Sequence, residues 1–146
     1  MTYYEWINSF DILKSGPRDE VLLEKLYNSS IELDGNMLYR FIKHVNNLVR
    51  TRLKNALEGT LHKISNTNDV NLLSLEIINI KKELAFSKKI INLPIIPDEN
   101  KKKFSETLQK FANEINEAIE NSVQGIDTTG EIMTLVKNSK INVLED

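Results

Sequence analysis

The chain has 146 residues, which is enough for one domain with a substantial core, and it contains only 5 Gly and 3 Pro. This composition predicts long uninterrupted elements, because Gly and Pro interrupt helices and strands. Because cysteine is absent, disulfides, thiolate nucleophiles and cysteine-ligated zinc are excluded. The composition is compatible with a cytoplasmic location, which is what we expect. Frequent Lys, Asn and Ile are typical of AT-rich genomes and indicate a bacterial source.

Hydrophobic periodicity predicts helices along the whole chain, because apolar residues recur at three- and four-residue steps. A first helix is expected over about residues 2–13, and Pro17 suits the first turn of a short second helix. Asp34 and Asp98 are predicted to cap the third and fifth helices. A last short helix is expected from about residue 128. The three long helices are predicted at about 34–65, 70–90 and 98–124.

These elements predict an all-α fold, an antiparallel up-and-down bundle of three long helices with two or three short helices at the termini. The reason is that short loops between long helices favour antiparallel neighbours. Residues 1–138 are expected to form one domain, followed by a tail at 139–146. No transmembrane segment is expected, because no apolar run approaches the ~20 residues that a spanning helix needs. The fourth helix is predicted to be central, because it carries a second apolar strip of Leu72, Leu75, Ile78 and Phe86.

The net charge of −2 is distributed unevenly. Residues 1–34 carry three basic and seven acidic side chains, whereas residues 35–65 carry six basic and one acidic. Residues 66–103 carry seven and five, and residues 104–146 carry three and eight. This separation of charge indicates docking, either within the molecule or with a partner.

A basic stripe is predicted along one side of the third helix. At about 100° per residue, its members fall within roughly a third of the helix circumference. They are Arg40, Lys43, His44, Arg50, Lys54 and His62. Two interpretations stay open: a solvated face, or a face that binds an acidic protein surface or a phosphate backbone. The stripe lacks interleaved aromatic residues and the sequence pI is about 5.8, and both observations favour protein over nucleic acid.

Arg52 differs from the stripe because the same geometry places it in the middle of the apolar arc. A guanidinium there needs a carboxylate or several carbonyls, since a buried unpaired charge is very costly. We expect it to lie at a helix-packing margin or to pair with an acidic residue from the first or last helix. The alternative is a ligand anchor or an interface arginine.

No catalytic, metal or cofactor constellation is found in the sequence, and none is expected. His44 and His62 lie about 27 Å apart along the helix, too far for one ion. Glu58 and His62 lack a third ligand. The glutamates of the fifth helix, from Glu106 to Glu120, are expected to form a solvated face.

Five lysines surround an apolar loop at residues 90–96 and form a candidate secondary contact: Lys88, Lys89, Lys101, Lys102 and Lys103. Such a basic tip could contact an anionic partner or a membrane surface. The favoured interpretation is that the loop folds its isoleucines under the end of the bundle. Near the amino terminus, Tyr3, Trp6 and Phe10 are expected in the core, with Tyr4 outside it.

The leading hypothesis is a non-enzymatic helical module, an adaptor, regulator or accessory subunit that binds another protein and can form a homo-oligomer. It follows from long amphipathic helices and segregated charge. The alternative hypothesis is an accessory nucleic-acid-binding subunit that uses the basic stripe.

Overall fold

The computed structural model describes residues 1–64 and 69–124, and within those ranges all regular secondary structure is helical. The predicted all-α class is therefore confirmed. The three long helices match their predicted bounds to within one residue, whereas the predicted last helix and the tail lie outside the described residues. The five helices are α1 (Tyr3–Ser15), α2 (Glu20–Tyr27), α3 (Gly35–Ile64), α4 (Val70–Ile91) and α5 (Asp98–Gln124).

Short polar side chains fix where most of the helices begin. Each accepts a hydrogen bond from a backbone N–H of the first turn, which has no partner inside the helix. The capping residues are Thr2 for α1, Asp19 for α2, Asp34 for α3 and Asp69 for α4.

Two predicted helix starts are wrong in detail. Pro17 does not lie in the first turn of α2, because the helix begins only at Glu20 behind the Asp19 cap. Asp98 is the first residue of α5 instead of its cap. The carbonyl of Pro97 accepts from the amides of Asn100 and Lys101, so the first turn closes one residue earlier than expected.

The hub of the molecule is α3, which packs against α1, α4 and α5. The prediction that α4 is central is wrong, because α3 contacts more of the other helices than α4 does. The second apolar strip of α4 is only partly buried, with Phe86 in the core. Leu75 is 62% exposed and Ile78 is 48% exposed. The core is one cluster of apolar side chains from every helix and from the loop before α5.

The pairing between α3 and α4 has a clear direction. Arg52 contacts Glu83, and eight residues further along α3, Thr60 contacts Glu76. The partner number falls as the α3 number rises, so these two helices are antiparallel neighbours. An up-and-down arrangement of all three long helices stays a prediction.

Helix α1 is attached to α3 through three aromatic rings. The ring centroid of Phe41 lies 5.5 Å from that of Trp6 and 5.2 Å from that of Phe10. Both contacts are edge-on, the geometry that the ring quadrupoles favour. The α1 residues of this cluster lie in the first eight residues of the helix. The carboxyl-terminal end of α1 lies beside the middle of α3.

Helix α2 is held to the carboxyl-terminal end of α4. The Tyr27 hydroxyl donates to the backbone carbonyl of Lys89, and the Lys89 ammonium pairs with Glu20 at 3.2 Å. Burial raises the pKa of Tyr27 above its ordinary value. None of the described helices has the length and apolarity needed to cross a membrane.

Candidate functional site

Arg52 lies on the core-facing side of α3, where its side chain is only 7% exposed. Helical periodicity alone puts it there, between the buried Leu48 and the half-buried Ala56 one turn away on either side. A cation at this depth must have its donors satisfied, because desolvation removes its interaction with water.

Two elements besides α3 satisfy the Arg52 guanidinium. Its Nε and Nη2 donate to the two carboxylate oxygens of Glu83 on α4, at 2.7 and 3.1 Å. Its Nη1 donates to the backbone carbonyls of Leu13 and Gly16, the latter at 2.9 Å. The last carbonyls of a helix have no intrahelical partner, so Arg52 closes the carboxyl end of α1 while it pairs with α4.

A second arginine completes this arrangement. Arg18, in the segment between α1 and α2, donates from Nη1 to Glu83 at 3.2 Å and from Nη2 to the Asn79 side-chain oxygen at 3.1 Å. One carboxylate therefore faces two guanidinium groups. We call Arg18, Arg52, Glu83 and Asn79 the arginine cluster.

The expected source of the acidic partner of Arg52 is wrong, because Glu83 comes from α4 and not from the first or last helix. Sequence reasoning also missed Arg18. The sequence does indicate that Glu83 lies beside the apolar strip of Ile80 and Leu84, although it does not identify Glu83 as the partner of Arg52; in the structure Glu83 is buried. Glu76 lies seven residues earlier, about two turns along the same face of α4, and pairs with Lys63 at 3.1 Å.

The basic stripe lies at the surface of α3. His44 is half-buried, and the other five side chains are exposed: Arg40, Lys43, Arg50, Lys54 and His62. Arg50 donates from Nε to the side-chain oxygen of Asn46 at 3.2 Å. The Lys43 ammonium lies 4.8 Å from the ring centroid of Tyr39, which is 64% exposed, so one aromatic residue borders the stripe.

The lysine tip does not expose its apolar loop. Ile90, Ile91, Leu93 and Ile96 are all buried, as the favoured interpretation expected. The structure places Lys102 and Lys103 at the surface, whereas Lys88 and Lys101 are half-buried. The exposed Lys89 is paired with Glu20. The tip thus presents cations without an apolar surface for insertion into a membrane.

In the part of the chain that the structure describes, no three His, Asp or Glu side chains converge on a point where a metal ion would be held. His62 and Glu58 are both exposed on α3.

Comparisons with protein-family models, with curated proteins and with solved structures found no match.

Proposed function

We propose that the chain is a non-enzymatic interaction module, an adaptor, regulator or accessory subunit built as an antiparallel helical bundle. Its basic stripe binds an acidic surface of another protein. The observation that carries this proposal is the accessibility of the stripe, in which five of six cationic or imidazole side chains are exposed along one helix. From Arg40 to His62 the stripe extends over about 33 Å.

The spacing of the stripe suits an acidic helix or strand as the partner. Arg40 lies three and four positions from Lys43 and His44, and Arg50 lies four positions from Lys54. Residues at these separations on a helix lie about 5–6 Å apart, so carboxylates at similar spacing can meet neighbouring cations of each group at once. Single exposed ion pairs contribute little, typically up to about 1 kcal/mol each, but a row of them steers association and fixes the register.

Charge reversal on the stripe tests the proposal. Proteins from the native host would be captured on the wild type, on an Arg50→Glu/Lys54→Glu variant and on Lys110→Glu, which reverses an exposed cation on α5. A partner is expected to bind the wild type and the Lys110→Glu control and to be lost from the double variant. The purified partner should then bind more weakly as salt increases.

Light scattering addresses self-association through the same surface. A mass that rises with concentration in the wild type but not in Arg50→Glu/Lys54→Glu would identify a second copy as the partner. A strictly monomeric protein whose captured proteins are the same for all three forms would exclude the module.

One observation favours nucleic acid as a second candidate partner. The exposed ring of Tyr39 borders the stripe, and an aromatic platform beside cations is a feature of proteins that bind single strands. Binding of short RNA and DNA would then weaken steeply with salt and with Tyr39→Ala. Tyr4→Ala is the matched control, because Tyr4 is also exposed but lies on α1. Equal binding by both tyrosine variants would exclude this candidate.

A further inference from the structure

A cavity of about 290 Å³ lies beside the arginine cluster, where the end of α1 meets α3 and α4. Besides the cluster, its walls include Lys14, Ser15 and Gly16 from the end of α1 and Asn55 from α3. Its volume is slightly below the roughly 300–1,000 Å³ that is typical of small-molecule sites. The cavity therefore fits a small ligand.

The charges that line this cavity do not balance. Lys14, Arg18 and Arg52 are cationic, whereas Glu83 is the one carboxylate among the lining residues. Both oxygens of Glu83 already accept hydrogen bonds from guanidinium groups. The lining side chains thus carry an excess of two positive charges, which outweighs the roughly half negative charge at the carboxyl end of α1. The carboxylate of Glu83 has little capacity left to attract a cation.

Arg18 supplies donors in a fixed position. Hydrogen bonds to Glu83 and Asn79 hold its guanidinium, and its side chain is 33% exposed. These two bonds use two of its five N–H groups, and no acceptor among the described residues takes the other three. The Asn79 side chain, whose oxygen accepts from Arg18, also lines the cavity. Because the group is already held, a ligand would not have to order it.

We infer that this cavity binds a phosphate group, either free or on a small phosphorylated molecule. A phosphate dianion matches the excess of two positive charges, and the planar fork of an arginine matches the spacing of phosphate oxygens. Arg18 and Lys14 contact the anion, Asn79 donates its amide, and Arg52 acts through Glu83 by holding Arg18 in place. The inference does not depend on the basic stripe, which lies on another side of α3.

The test is an NMR titration of the ¹⁵N-labelled full chain with inorganic phosphate and with ribose 5-phosphate, with sodium chloride adjusted to keep the ionic strength constant. Saturable shifts are expected at the amides of Gly16, Asn55 and Asn79. Arg18→Gln should weaken binding about tenfold or more, as for the loss of a charge-assisted hydrogen bond. Lys110→Gln, a charge change on α5, should leave the affinity within about twofold.

The two ligands distinguish the source of the phosphate group. Tighter binding of ribose 5-phosphate supports a phosphomonoester site, and equal or tighter binding of inorganic phosphate supports a free-anion site. If Arg18→Gln loosens the fold, as circular dichroism would reveal, Lys14→Gln provides a second variant with the same expected direction. Shifts that occur equally with chloride, or only along the exposed stripe of α3, would overturn the inference.

Discussion

Arg50 and Arg52 lie two residues apart on α3 and do different work in the molecule. Arg50 is exposed and donates to one neighbour within its own helix, Asn46. Arg52 is buried and makes four hydrogen bonds that link α3 to α4 and to the end of α1. Two residues correspond to about 200° around a helix, so the two arginines face nearly opposite sides of α3. Position on the helix, and not residue type, therefore decides which arginine is a surface charge and which one links the buried parts of three elements.

The difference between the two positions is tested most directly by replacing each arginine in turn. Arg52→Met is expected to lower the free energy of unfolding by about 3–5 kcal/mol, because it leaves Glu83 short of a cation and two carbonyls without donors. Arg50→Met is expected to change it by no more than about 0.5 kcal/mol, as for an ordinary surface position. Urea unfolding followed by circular dichroism measures both.

A second variant sharpens the interpretation of that result. Arg52→Met/Glu83→Leu removes both buried charges and should recover part of the stability lost in Arg52→Met, since an apolar pair can replace a buried ion pair. Similar losses for Arg50→Met and Arg52→Met would mean that the buried network contributes little.

A substitution at Gly16, whose carbonyl accepts a hydrogen bond from Arg52, is expected to have an intermediate effect on the free energy of unfolding. A Cβ at Gly16 would lie 2.7 Å from the carbonyl oxygen of Ile12, so Gly16→Ala must displace the backbone whose carbonyl accepts from Arg52. We expect a loss of about 1–3 kcal/mol in the free energy of unfolding. Gly59→Ala is the control within α3, where an added Cβ meets nothing within 4 Å. It should stabilise the protein by about 0.5–1 kcal/mol, so the same sign for both variants would contradict the prediction.

The smallest expected effect concerns the contact of α2 with α4. Tyr27→Phe removes a hydrogen bond to the Lys89 carbonyl and should lower the free energy of unfolding by about 1 kcal/mol at pH 7. Because burial raises the pKa of Tyr27, the folded state holds the phenolic proton more tightly than the unfolded state. That contribution is complete below the unfolded pKa of about 10 and is lost as the pH rises through the folded pKa.

Unfolding measured between pH 8 and 11 tests this sign. The wild type should lose more stability above pH 10 than Tyr27→Phe does, so the two curves should converge. Tyr4→Phe, at an exposed position on α1, should follow the wild type. Parallel curves for the wild type and Tyr27→Phe would show that burial of the phenol is not linked to folding.

The helices could be predicted from the sequence because their signals are local. Apolar periodicity and caps such as Asp34 act within one or two turns, and the predicted bounds of the long helices agree with the structure to within one residue. The exposed Leu75 and Ile78 led to the wrong prediction that α4 is central. An apolar residue need not be buried, because burial depends on which neighbours a helix has.

The candidate site could be predicted only in part. Periodicity placed Arg52 on the apolar arc and indicated that it needed carboxylate or carbonyl partners. It could not identify Glu83, 31 residues away, or the Gly16 carbonyl, 36 residues away, because those contacts depend on how three elements are packed together. Arg18 gave no periodic signal, since it lies in a connecting segment.

The attachment of α1 also has an optical consequence. Trp6 is the one tryptophan of the chain, and it is completely buried against Phe10 and Phe41. Its indole fluorescence therefore arises from a single, apolar environment at the junction of α1 and α3. Release of α1 would transfer that indole to water and shift its emission to longer wavelength. The native sequence thus contains its own reporter for one particular helix contact.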